Sequence, residues 1–101
     1  MQIASVFQKN KPMQIRFIKN IQFTKLIKAE GRLREFNFRK PNGREEALTT
    51  VDVSDDRGHR IIFNMKKEGA GWKVVPQSLP VWVTNLEDTL SDLIEEELRN
   101  Y

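Results

Sequence analysis

The sequence predicts an α+β fold: an antiparallel β-meander of four to six strands, followed by one C-terminal amphipathic α-helix packed on one sheet face. Three observations carry this expectation. Turn signals recur at short intervals, at Glu30-Gly31, Lys40-Pro41-Asn42-Gly43-Arg44, Asp55-Asp56-Arg57-Gly58 and Glu68-Gly69-Ala70-Gly71. Between them lie short runs rich in β-branched and aromatic residues that alternate with a period of two. After Thr84 the apolar spacing changes to steps of three and four, which is helical.

Met1–Lys11 reads either as a short helix carrying Ile3, Val6 and Phe7, as an edge strand, or as a mobile arm. Residues 13–28 form one long bent strand or two short ones, closed by Glu30-Gly31. In residues 33–40, Phe36 and Phe38 share one face opposite Glu35, Asn37 and Arg39. Residues 46–53 place Thr49, Val51 and Val53 opposite Thr50 and Asp52, and residues 60–67 place Ile61, Phe63 and Met65 opposite Ile62, Asn64 and Lys66. A short strand over 72–75 follows. Pro76 and Pro80 keep residues 76–84 from ordinary helix, because proline lacks the amide donor and its ring collides with the preceding turn. The final helix is expected to be capped by Asn85, with Glu87 and Asp88 suited to its positive end. Its apolar stripe is Leu86, Leu90, Leu93, Ile94, Leu98 and Tyr101.

The chain has 101 residues, 39% of them hydrophobic and 31% charged, with a net charge of +3, which fits one globular domain over residues 1–101 rather than a disordered segment. No apolar run reaches the roughly 18 residues of a membrane helix. The start of the chain lacks the pattern of a secretory signal, so a cytoplasmic, membrane-free protein is expected. The sequence contains no cysteine, which excludes disulfides, thiolate catalysis and cysteine-held zinc.

The charge is unevenly divided. Residues 1–44 hold eleven basic and two acidic side chains; residues 45–101 hold six basic and twelve acidic ones. Such halves either neutralise one another or leave a basic surface for phosphates. Basic and aromatic residues interleave at Arg16-Phe17 and from Arg34 to Lys40, the ingredients of single-strand nucleic-acid binding. The competing account puts the phenylalanines in the core. Arg16, Arg34, Arg39 and Lys40 are the candidate phosphate contacts, and Trp82 is a candidate interface anchor if exposed. Trp72, beside a glycine turn, is assigned to the core.

Enzyme signatures fail. His59 is the only histidine and lies at a predicted turn, so its pairing with Asp55 or Asp56 is the weakest of three functional readings. Asp52-x-Ser54-x-Asp56 opens like a calcium loop, but Arg57 and Phe63 stand where glycine and glutamate are required. Gly69 and Gly71 lead into a strand rather than a helix, unlike a phosphate-binding loop. No catalytic residue, metal or cofactor is therefore assigned. The acids of the last helix are expected on its solvated face.

The order of strands then helix, with Asp52-Val53-Ser54-Asp55-Asp56-Arg57-Gly58-His59-Arg60-Ile61, resembles a repeat of the purine-rich-element-binding (Pur) family. The likeness spans about ten residues, and the spacing departs from the family pattern, so no site residue is carried over. It implies intertwined repeats that bind single-stranded nucleic acid. From the residues themselves, Ile18, Leu48, Ile62 and Trp82 lack partners beneath a helix, and an apolar face left bare meets another subunit or ligand. The function expected is a non-enzymatic binding or assembly module acting through its sheet surface. Its partners are a second copy, as a two-fold dimer, or another protein. The alternative is nucleic-acid binding by the basic half.

Overall fold

The computed structural model describes residues 21–41 and 47–100. Arg16, Ile18, the Met1–Lys11 segment, the centre of the Lys40–Arg44 turn and Tyr101 lie outside the described residues. Five strands, β1 (Ile21–Ala29), β2 (Arg32–Lys40), β3 (Leu48–Ser54), β4 (Arg60–Glu68) and β5 (Gly71–Val74), form one antiparallel sheet in sequence order. Two helices follow, α1 (Val81–Thr84) and α2 (Glu87–Leu98).

Each hairpin follows from its turn. β1 and β2 pair in unbroken register from Ile21↔Lys40 to Ala29↔Arg32. Only Glu30 and Gly31 separate them, at φ 55° and 79°. Two consecutive left-handed residues give the mirror-image turn whose twist matches that of paired strands, and glycine takes the second at no steric cost. β3 and β4 pair over seven positions, from Leu48↔Lys66 to Ser54↔Arg60. β2 and β3 pair only over Asn37–Arg39 with Asp52–Thr50, so the sheet opens between them toward the β1–β2 turn.

The period-two sets fall as expected. Phe36, Phe38, Val51, Val53, Phe63, Met65 and Trp72 are all buried on one face, here called inner. Val83 from α1 and Leu90 and Ile94 from α2 close over them, with Leu86, Leu93 and Leu98 packed at the margin. Phe23 stacks on Phe38 with ring centres 4.5 Å apart. Fully burying one such side chain is worth about 1.5–3 kcal/mol, so this layer supplies the main drive to fold.

The helical segment differs from expectation in two ways. Pro80 does not exclude helix after it; with φ −59° it precedes one helical turn, α1, in which the Val83 and Thr84 amides donate to the Pro80 carbonyl. Proline is tolerated at a helix start because no amide is needed there. Asn85 therefore ends α1 rather than capping α2, whose cap position is Leu86, with no side-chain cap bond. Burying Leu86 against the core takes precedence over capping.

The acids of α2 are also not a wholly solvated face. The Trp72 backbone N–H donates to Ser91 Oγ at 2.8 Å, and that of Val74 to Glu87 Oε2 at 2.7 Å. These amides point away from β4, along the sheet edge. Helix residues four apart advance about 6.0 Å, and strand residues two apart about 6.8 Å, so one helix face can serve alternate strand amides. Glu95 Oε2 accepts from Trp72 Nε1 at 2.7 Å and from Lys67 Nζ. Lys25 pairs with Glu97 at 3.6 Å. Asp88, Asp92 and Glu96 remain exposed.

Gly71 makes this approach possible: a Cβ there would lie 3.0 Å from Ser91 Oγ. Ser91→Ala strands the Trp72 amide and is expected to cost about 1–3 kcal/mol in denaturant unfolding. Gly71→Ala breaks the same bond by pushing the hydroxyl away. The double variant removes the collision, so its cost is expected to fall short of the sum by about 1 kcal/mol; strict additivity would refute this docking.

The Lys67 ammonium, and next the Trp72 indole, hold the Glu95 carboxyl below its ordinary 4.5. A carboxylate depressed by folding stabilises the native state above its unfolded value, and that stabilisation disappears as pH falls through the folded value. Glu95→Gln is expected to be less stable than the parent at pH 7 and to approach it as pH falls through and below the ordinary glutamate range in thermal unfolding. A constant difference down to acid pH would contradict this.

Candidate functional site

The opposite, outer face of the sheet has neither helix over it. Along β2 it presents Leu33, Glu35, Asn37 and Arg39; along β3, Thr50, Asp52 and Ser54; along β4, Arg60, Ile62, Asn64 and Lys66. Cross-strand neighbours on one face are close enough to touch, and here they join laterally. Thr24 Oγ1 donates to Asn37 Oδ1 at 2.7 Å, and Asn37 Nδ2 donates to Asp52 Oδ1 at 3.0 Å. Arg60 Nη1 donates to the same oxygen at 3.1 Å. Thr50 Oγ1 donates to Asn64 Oδ1 at 2.8 Å. Asp52 is only 7% exposed, and its charge lies beneath two donors.

Two shallow hollows, of about 400 and 360 Å³, flank this row and share Asn37, Asp52 and Arg60 as walls. Leu33 and Glu35 line the second, where β2 and β3 part. Leu26, Leu33 and Ile62 stand out from the face with 64%, 65% and 53% of their surface exposed. Leu48 also lies on this face, half-buried. The outer face thus mixes short hydrogen-bonded polar side chains, three protruding aliphatics, the cations Lys28, Arg39, Arg60, Lys66 and Lys73, and the acids Glu35 and Glu68.

Of the candidate basic residues, the three that are described, Arg34, Arg39 and Lys40, do not share a surface. Arg39 lies exposed on the outer face, whereas Arg34 and Lys40, at even spacing from Phe36 and Phe38, belong to the inner side. Lys40 is half-buried at the strand end. Arg34 is 7% exposed. Its Nε donates to the Ala29 carbonyl at 3.0 Å, its Nη1 lies 2.9 Å from Asp56 Oδ1, and its guanidinium carbon sits 4.5 Å from the centre of the Trp82 ring. Trp82 is accordingly half-buried beneath Arg34, not a free anchor. Arg34 joins the end of β1, the β3–β4 turn and α1 through one planar group, a use that suits arginine's fork and flat face. Arg32 adds a second contact to Asp56 at 3.3 Å.

The remaining acids of the turn also have local work. Asp55 Oδ1 accepts from the backbone N–H groups of His59 at 2.8 Å and Arg57 at 2.9 Å. The His59 amide, more than any other cause, holds the Asp55 carboxyl below its usual range. His59 projects from the hairpin with 72% of its side chain exposed, its Nδ1 3.6 Å from Asp55. Among the described residues no group of three or more histidine and acidic side chains is placed to hold a metal ion. No helix among them is long and apolar enough to cross a membrane.

Comparison with family models, with curated proteins and with solved structures finds no match to this chain.

Arg34→Lys keeps the charge and loses the fork. It is expected to cost about 1–3 kcal/mol in denaturant unfolding, whereas Arg39→Lys on the exposed face should change stability by less than about 0.5 kcal/mol. Equal effects would place Arg34 at the surface.

Proposed function

We propose that this protein is a non-enzymatic binding and assembly module that works through the outer face of its sheet and pairs there with a second copy of itself. The observation that carries the reading is the exposure of Leu26, Leu33 and Ile62 on a face whose other side already holds the core and both helices. Isolated aliphatics among laterally bonded polar side chains are the composition of a non-obligate interface, which is about as apolar as ordinary surface.

Size supports the same reading and bounds its strength. Five strands spaced ~4.8 Å apart, over about seven residues of ~3.3 Å each, span on the order of 600 Å². Two such faces reach about 1,200 Å², the lower end for specific association. A reversible dimer at micromolar concentrations is therefore expected rather than a permanent one.

Phosphate-backbone binding has less support. The phenylalanines that would stack on bases, Phe36 and Phe38, are buried, and Arg34 and Lys40 are turned from Arg39.

Light scattering across micromolar to millimolar protein should show the mass rising from 11.9 kDa toward twice that value. Replacing Leu26, Leu33 and Ile62 together by serine should hold it at the monomer. A monomer throughout would overturn the proposal. Salt-sensitive capture of a labelled single-stranded oligonucleotide by that monomer would transfer the outer face to the phosphate reading.

A further inference from the structure

We infer a specific arrangement for that pairing: two copies meet outer face to outer face about a two-fold axis running along β3. In it, Ile62 of each copy enters the hollow beside Asn37 of the other, and Glu35 of each faces Arg60 of the other. This rests on the self-association proposed above and specifies its geometry.

A two-fold interface is isologous, so each strand's partner follows from its distance to the axis. An axis along a strand sets that strand's outward side chains against their own copies. Along β2 it would oppose Glu35 to Glu35 and Arg39 to Arg39; along β4, Arg60 to Arg60. Like charges brought together and desolvated are costly. β3 is the middle strand; beyond the half-buried aliphatic Leu48 at its start, its outward side chains are Thr50, Asp52 and Ser54. Two are neutral and short, and the third has its charge covered by Asn37 and Arg60.

With the axis there, β2 of one copy lies over β4 of the other, and the register fixes the levels. Asn37, Asp52 and Ile62 form one row across β2, β3 and β4. Arg39, Thr50 and Asn64 form the next row. Glu35 lies two residues beyond Asn37, where β2 and β3 have begun to part; carrying the register on by those two residues brings it to the level of Ser54, which pairs with Arg60. The two-fold therefore sets Ile62 opposite Asn37, the wall that the two hollows share, so a protruding aliphatic has a hollow on either side of its contact. It sets exposed Glu35 opposite Arg60, whose side chain is 59% exposed and has donors beyond the one on Asp52. It sets Arg39 opposite the amide of Asn64. Of the four outward positions of β2, Glu35 and Arg39 thus meet a charged or polar complement on β4 and Asn37 meets Ile62, while Leu33 extends past Arg60 toward the β3–β4 turn.

The arrangement makes a demand that no fold-stabilising role makes. Glu35→Arg alone opposes arginine to arginine twice per dimer, and Arg60→Glu alone opposes glutamate to glutamate twice. Each variant is expected to self-associate at least about tenfold more weakly than the parent. Mixed in equal amounts, the two variants restore both pairs, and a heterodimer of near-parental affinity is expected by analytical ultracentrifugation with one species labelled. Ile62→Arg should abolish association without needing Arg60, and provides the test if Arg60→Glu does not fold beside Asp52. A parent that dimerises while Glu35→Arg and Ile62→Arg dimerise equally well would overturn this arrangement and leave the outer-face reading standing. The arrangement is likewise overturned if both charge variants fold and weaken association but their mixture recovers none. A parent that stays monomeric would overturn both.

Discussion

The architecture depends on the need of an edge strand to satisfy its outward amides. β5 has only four residues, and its Trp72 and Val74 N–H groups point away from the sheet. Unmade hydrogen bonds of partly buried amides are costly, and an open edge invites pairing with other chains. α2 answers both with Glu87 and Ser91, one helical turn apart, in place of a neighbouring strand. The helical and strand repeats differ by about 0.8 Å over this step, which a short serine and a longer glutamate can absorb. One turn further on, strand β5 has ended, and Glu95 bonds the side chains of Trp72 and Lys67 instead. This edge docking orients α2 so that Leu90 and Ile94 enter the inner face. It leaves the outer face uncovered by either described helix.

How much of this could be read from the sequence depends on how far each signal is local. The alternation of Ile61 to Met65 and of Thr49 to Val53 is set by the pleat, so strand faces were legible before any contact was known. Trp72 in the core followed from its place beside Gly71. The role of Glu87, Ser91 and Glu95 was not legible, because a run of acids states charge but not direction. Leu86 displaced Asn85 at the start of α2 because an apolar contact with the core outweighed a cap bond. The Asn37–Asp52–Arg60 row joins three strands and depends on a register that no single segment contains.

Arg34 was legible in principle. It stands two residues before Phe36, on the phenylalanine side, but composition alone marks arginine as surface. Its burial is tolerable because the guanidinium is matched on every side: a carbonyl at Ala29, a carboxylate at Asp56 and an aromatic face at Trp82. The same contact explains part of the charge imbalance along the chain. Arg32 and Arg34 pair with Asp56, and Lys25 pairs with Glu97, so basic residues of the first half neutralise acids of the second within the fold.

What remains outward is a face whose side chains are already restrained by one another. Thr24, Asn37, Asp52 and Arg60 form one bonded row, and Thr50 and Asn64 a second pair. Ordering flexible side chains is among the main costs of association, and short side chains fixed laterally lose little more on docking. The lateral bonds also satisfy groups that a partner would otherwise strand when it excluded water. A solvated sheet face needs neither property, since exposed lysine and glutamate would serve as well. Short, mutually bonded polar residues around three exposed aliphatics suit the reversible self-association proposed above.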